Sequence, residues 1–129
     1  MGSLDDLKIL DFSTLLPGPY ATLMLADMGA EVLKISSASR PDIVLDYPPF
    51  IGDTGVSASQ AWLGRNKKTM FLNLKTGEGK AVVKELVKEY DIVLEQFRPG
   101  VMEKLGLGYE DLKAVNPKLI YCSLTGYGQ

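Results

Sequence analysis

The 129-residue sequence contains no histidine. That absence removes the commonest general base, any Ser-His-Asp triad and any histidine-ligated metal site from what these residues can assemble. Acid or base work would fall to carboxylates, lysine, tyrosine or cysteine. The single cysteine, Cys122, cannot form an internal disulfide. No run approaches the ~18 apolar residues of a membrane span, and Met1-Gly2-Ser3 lacks the basic and apolar regions of a signal peptide. These absences predict a reducing, cytoplasmic setting without membrane attachment, and residues 1–3 read as a cloning remnant outside the fold. A formal charge of −2 offers no global attraction to nucleic acid, so anion binding has to come from local clusters.

What is present fits one domain with a real hydrophobic core. Leu7–Phe12 is a short apolar run broken by Leu16-Pro-Gly-Pro19, which predicts a strand and then a turn. A helix follows from Pro19, with Tyr20, Leu23, Met24 and Met28 on its apolar face and Gly29 at its end. Glu31–Ile35 is a second strand, and so compact a strand-helix-strand unit implies parallel pairing. Residues 36–60 are rich in Pro, Gly and Ser and are expected to be a long, mobile, structureless connection. Thr69–Leu74 alternates as a strand, preceded by a basic run at Arg65, Lys67 and Lys68 that reads as solvated surface. Thr76 caps a helix with an apolar stripe at Val82, Val83, Leu86, Val87 and Tyr90. Asp91–Glu95 is a strand, Tyr109–Val115 a helix stopped by Asn116-Pro117, and Leu119–Leu124 a last strand with Cys122 in its core.

Alternating strands and helices define an α/β fold, an open and mainly parallel sheet with helices on both faces. Ligands on such sheets collect outside the carboxyl ends of the strands. That rule selects Ser13–Pro19, Ser36–Arg40, Leu74-Lys75 and Gln96–Lys104. Lys75, Arg98 and Lys104 bring positive charge there, suited to phosphate, and Phe97 offers a ring for a base or a plug for the sheet edge. The first loop lacks the glycines of G-x-G-x-x-G and the lysine of a P-loop, so a usual mononucleotide or NAD site is disfavoured, though the following helix N-terminus still favours anions. Asp11 and Glu95 stand at strand ends, where carboxylates more often orient loops than act as acids or bases. No residue stands out as catalytic or as a metal ligand.

The segments Leu10-Asp-Phe-Ser…Pro-Gly-Pro19, Leu25-Ala-Asp-Met-Gly-Ala-Glu-Val-Leu-Lys-Ile35, Asn66-Lys-Lys…Leu-Asn-Leu-Lys75, Phe97-Arg-Pro-Gly-Val-Met-Glu-Lys-Leu-Gly106 and Asn116-Pro-Lys-Leu-Ile-Tyr…Thr-Gly-Tyr-Gly-Gln129 run in order through residues 4–129. Together they resemble the family III CoA-transferases, which include α-methylacyl-CoA racemases. The resemblance implies a Rossmann-like large domain, here its N-terminal part, from a much longer chain that forms interlocked homodimers. It implies CoA or acyl-CoA as ligand, with Leu16, Leu72, Leu74, Lys75, Gln96, Phe97, Arg98 and Lys104 at positions lining the CoA site. The family commonly has an acidic-basic pair after the second strand; Ser36-Ser37 stands there, with Arg40 as a substitute cation.

In the family pattern the transferases' catalytic aspartate and the racemases' His-Asp pair follow Gly-Tyr-Gly-Gln. The resemblance therefore implies that these 129 residues hold part of a CoA surface and lack catalysis by themselves. The Phe97–Gly106 segment reads closest to the racemases, while Leu16 stands where some transferases place glutamine. An independent CoA-binding or assembly module without chemistry is the alternative.

Overall fold

The computed structural model describes residues 2–129. Five parallel strands form one sheet in the order β3-β2-β1-β4-β5: β1 (Lys8–Asp11), β2 (Glu31–Ser36), β3 (Lys67–Phe71), β4 (Ile92–Glu95) and β5 (Ile120–Ser123). The order reverses direction between β1 and β4, whose register pairs Ile9 with Ile92 and Asp11 with Leu94. At such a reversal the loops leaving the two strands diverge and open a crevice at their carboxyl ends.

Helices cover both faces. On one, α3 (Gly77–Val87), α4 (Val101–Lys104) and α5 (Tyr109–Lys113) bury Val83, Val87, Met102 and Leu112 against Leu10, Leu33 and Val93. On the other, α1 (Pro17–Asp27) packs Ala26 against Ile9 and Val32, and α2 (Ala58–Leu63) lies beside α1. Thr76 caps α3 by accepting from Gly79 N–H at 3.1 Å. Gly29, at φ +109°, lets the chain leave α1 through the left-handed region open to glycine. Among the described residues no helix is long and apolar enough to cross a membrane.

Several sequence expectations are corrected. The α1 stripe is rotated: Leu23 is buried, but Tyr20, Met24 and Met28 are roughly half exposed, and Gly18, Thr22 and Ala26 face inward instead. Small residues allow α1 to lie close on the sheet. The third strand begins and ends earlier than its alternation suggests, because β2 pairs with it from Val32↔Lys67 to Ser36↔Phe71. Leu72 and Leu74 then fall in the turn before α3 while still packing on the core. Residues 36–60 are not structureless: a 3-10 turn, η1 (Ile43–Leu45), an isolated bridge between Phe50 and Ser57, and the start of α2 organise them. Val82 is exposed at the edge of the α3 stripe. Cys122 is exposed rather than core, because β5 is an edge strand and its side opposite Tyr121 extends past α1, which packs on β1 and β2.

Candidate functional site

A cleft of about 430 Å³ opens at the carboxyl ends of β1 to β4. Its floor is hydrocarbon from Phe12, Ile35, Leu72, Leu74, Phe97 and Leu105. Its walls are the β1–α1 turn at Thr14 and Leu15, the β2–η1 loop at Ser39 to Ile43, and the β3–α3 turn at Asn73 and Lys75. Arg40 and Lys75 are exposed at its rim and form no ion pair among the described residues. An apolar trough with cations on the lip suits a ligand that joins a flat or aliphatic body to anionic groups.

Four of the eight predicted residues, Leu72, Leu74, Lys75 and Phe97, line this cleft together. Phe97 is held there by its own backbone: Glu95 accepts from Phe97 N–H at 2.8 Å and also takes the Ser123 hydroxyl, so Glu95 orients the loop. Leu16, Gln96, Arg98 and Lys104 are not in the lining. Leu15 stands on the wall in place of Leu16, because Leu15 adopts φ +63° and leaves Leu16 about half exposed at the start of α1. Arg98 and Lys104 are exposed at either end of the α4 segment, whose Val101 and neighbouring Leu105 reach the cleft.

Gln96 does something the sequence did not suggest. Its side-chain oxygen crosses the strand reversal and accepts from Gly18 N–H at 2.9 Å. Pro17 and Pro19 have no N–H, and Tyr20 N–H already bonds to Leu16 O at 2.9 Å. From Pro17 to Tyr20 the first turn of α1 therefore has no spare N–H.

Lys67 is the largest departure. Read as solvated surface, it has a side chain only 1% exposed. Its ammonium donates to Pro19 O at 2.7 Å and to Thr22 Oγ1 at 2.8 Å, and lies 3.7 Å from Asp11. Burial, opposed by the Asp11 carboxylate, pushes its pKa down to about 8. Asp11 accepts from Thr22 Oγ1 at 2.5 Å, from Ser13 N–H at 2.8 Å and from the Ser13 hydroxyl. The strand-end carboxylate thus orients the β1–α1 turn. The neighbouring cations do behave as surface groups, Arg65 pairing with Asp27 and Lys68 with Glu31. Nothing in the local pattern separates Lys67 from them; only its β3 register, opposite Val32 on the α1 side, carries it inward.

These features define a parallel α/β domain with a strand-end cleft beside the strand-order reversal. A family model described as CoA-transferase family III matches residues 4–129, and the chain belongs to that family. It is 44% identical to the succinyl-CoA:mesaconate CoA-transferase of Haloarcula marismortui, over 99% of this chain and 33% of that protein. It is 42% identical to the human succinyl-CoA:glutarate CoA-transferase, over 98% of this chain and 28% of that one. The solved structure of a CAIB/BAIF family protein from Brucella suis superposes with a TM-score of 0.89 at 40% identity, covering 97% of this chain and 34% of that one. The chain thus spans about a third of the length of these relatives.

Proposed function

We propose that this chain forms the CoA-holding part of an enzyme that moves CoA between carboxylic acids. The observation that carries this reading is the strand-end cleft, lined by Leu72, Leu74, Lys75 and Phe97, in a chain whose relatives at 42–44% identity are named as CoA-transferases. The hydrocarbon floor would take the adenine or the pantetheine arm, and Arg40 and Lys75 would meet phosphates. Gln96 supports the site from behind by fixing α1, and Arg98 and Lys104 add positive charge beside it.

Transfer needs a carboxylate oxygen to attack the thioester carbonyl, forming an anhydride and expelling the CoA thiolate. The buried carboxylates near this cleft are committed elsewhere: Asp11, Asp42 and Glu95 each accept two or more internal hydrogen bonds. The resemblance, rather than any exclusion of carboxylates, implies a nucleophile that follows Gly-Tyr-Gly-Gln, and residues 4–129 are proposed to hold CoA rather than to turn it over. A racemase would use the same CoA surface, so the Phe97–Gly106 resemblance does not separate the two. The transferase names of the relatives favour transfer. Ile120, 59% exposed on the edge strand, and Tyr20, Met24 and Trp62 on the α1 side offer apolar surface for a second copy.

Calorimetry with CoA tests the binding. A folded protein giving no heat at millimolar CoA would sink it, and Lys75→Ala is expected to weaken it about tenfold through the lost charge-assisted contact. Turnover of a succinyl-CoA and dicarboxylate pair by the chain alone would overturn the assignment of the nucleophile. Sedimentation at high concentration showing only monomer would remove the second copy.

A further inference from the structure

Asp42 ends the β2–η1 loop as the N-cap of η1, with its side chain only 3% exposed. Its carboxylate accepts from Leu15 N–H at 3.1 and 3.2 Å, from Val44 N–H at 3.2 Å and from the Lys34 ammonium at 3.1 Å. The Val44 bond caps η1 locally. The other two reach out of the loop, one to the β1–α1 turn and one to the α1-side face of β2. Leu15 is held at φ +63°, a left-handed conformation that costs a leucine on the order of 1 kcal/mol or more and needs an external restraint. The bond from its N–H to a buried carboxylate is such a restraint.

Both loops joined in this way are walls of the cleft. Leu15 stands on one, and Ser39, Arg40 and Ile43 flank Asp42 on the other. A second cavity, of about 410 Å³, lies on the opposite side of the same loop under α2, and Pro41 and Asp42 line both cavities. The loop is thus a thin partition. Without the carboxylate, the stretch from Ser37 to Pro41 has a single hydrogen bond of its own, between the exposed Ser37 and Ser39 hydroxyls.

We propose that Asp42, clamped by Lys34, is a positioning residue for the cleft. It sets the separation of the Leu15 wall from the Arg40 wall and so fixes where the Arg40 cation meets a ligand phosphate. The inference rests on the CoA reading above and adds to it a determinant that touches no ligand. Charge-assisted bonds to a buried carboxylate are strong, and leaving either partner unmatched moves the loop rather than merely loosening it.

The test is CoA calorimetry on the wild-type chain, Asp42→Asn and Lys34→Met, each well below its urea midpoint, with amide exchange followed at Leu15 and at Val83 as a core reference. Asp42→Asn puts an amide N–H₂ toward the Lys34 ammonium and Leu15 N–H; CoA affinity is expected to fall about tenfold, with exchange rising at Leu15 but not at Val83. Lys34→Met keeps the carboxylate but unclamps it; binding is expected to weaken about threefold with Leu15 exchange rising, and it decides the matter if Asp42→Asn does not fold. Wild-type affinity in the folded variants overturns the positioning role alone. Weakened binding with unchanged Leu15 exchange overturns it too. No binding by the wild-type chain overturns the CoA reading, and this role falls with it.

Discussion

The two faces of the sheet are built from different chemistry. On the α3 side, Leu10, Leu33, Val93, Val83, Val87 and Leu112 form a continuous aliphatic core of fully or nearly fully buried side chains. On the α1 side, alternate positions of the same strands place Asp11, Lys34 and Lys67 beneath α1 and the β2–η1 loop. A parallel sheet covered on both faces usually reads as hydrocarbon throughout. Here one face provides cohesion. The other uses two ion pairs, Asp11 with Lys67 and Lys34 with Asp42, to tie β1, β2 and β3 to the loops at their carboxyl ends. Hydrocarbon packing is tolerant of small shifts in direction, whereas a carboxylate with three donors fixes its neighbours' positions. The polar face lies where the cleft walls must be placed.

Removing one buried partner should therefore be worse than removing hydrocarbon. Asp11→Ala deletes the acceptor of Ser13 and Thr22 together with the counter-charge of Lys67, and leaves an ammonium in a buried site; a loss of about 4 kcal/mol in urea unfolding is expected. Leu10→Ala, one residue earlier and on the opposite face, leaves a cavity costing about 3 kcal/mol. The two variants should also differ in kind. Asp11→Ala is expected to weaken CoA binding in the folded protein by displacing the β1–α1 turn, and Leu10→Ala to leave it within about twofold. Equal effects of both on affinity would erase the distinction between the faces.

Gly18→Ala probes the junction at the strand reversal. A Cβ at this position would overlap the Ser13 Cβ and lie 2.6 Å from Gln96 Oε1, so α1 must back away and lose the Gln96 bond. Overpacking of this kind is expected to cost about 2 kcal/mol. Gln96→Ala removes the same bond without overpacking and should cost about 1 kcal/mol, read by the same urea titration.

Much of the aliphatic face was legible from sequence, and little of the polar one. The α3 stripe at Val83, Leu86 and Val87 repeats with helical period behind a Thr76 cap, and β4 is a short apolar run, so local pattern and tertiary packing agree. The strand-end rule likewise found Leu74, Lys75 and Phe97, because it depends only on element order, and the family resemblance added Leu72. Lys67 was misread because charge statistics describe the neighbourhood Arg65 to Lys68, while its burial depends on Asp11 and Thr22, distant in sequence. Asp42 was missed for the same reason: its partners Leu15 and Lys34 belong to other elements, and an Asp in a proline-rich loop has no local mark of being buried. Tyr20, Met24 and Met28 misled in the opposite direction, since a helical period finds an apolar stripe but not which surface it meets. Leu15 displaced Leu16 through one positive φ, invisible in residue type.

The smallest predicted effect isolates Lys67. With a folded pKa of about 8 against an ordinary 10.5, the unfolded chain binds more protons at this site between those values. Stability therefore rises with pH across the window, by about 1 kcal/mol between pH 8 and 9 for this group. Tyr90 acts in the other direction but later: burial and its hydrogen bond to Glu31 raise it to about 12, so the stability it contributes is intact below pH 10 and is lost above. Urea midpoints of the wild-type chain and Lys67→Met, compared from pH 8 to 9.5, separate the two. The wild type should gain on the variant over that interval. A constant difference would place the Lys67 ammonium in water, and with it would go the contrast between a dry aliphatic face and a buried polar one that sets the cleft.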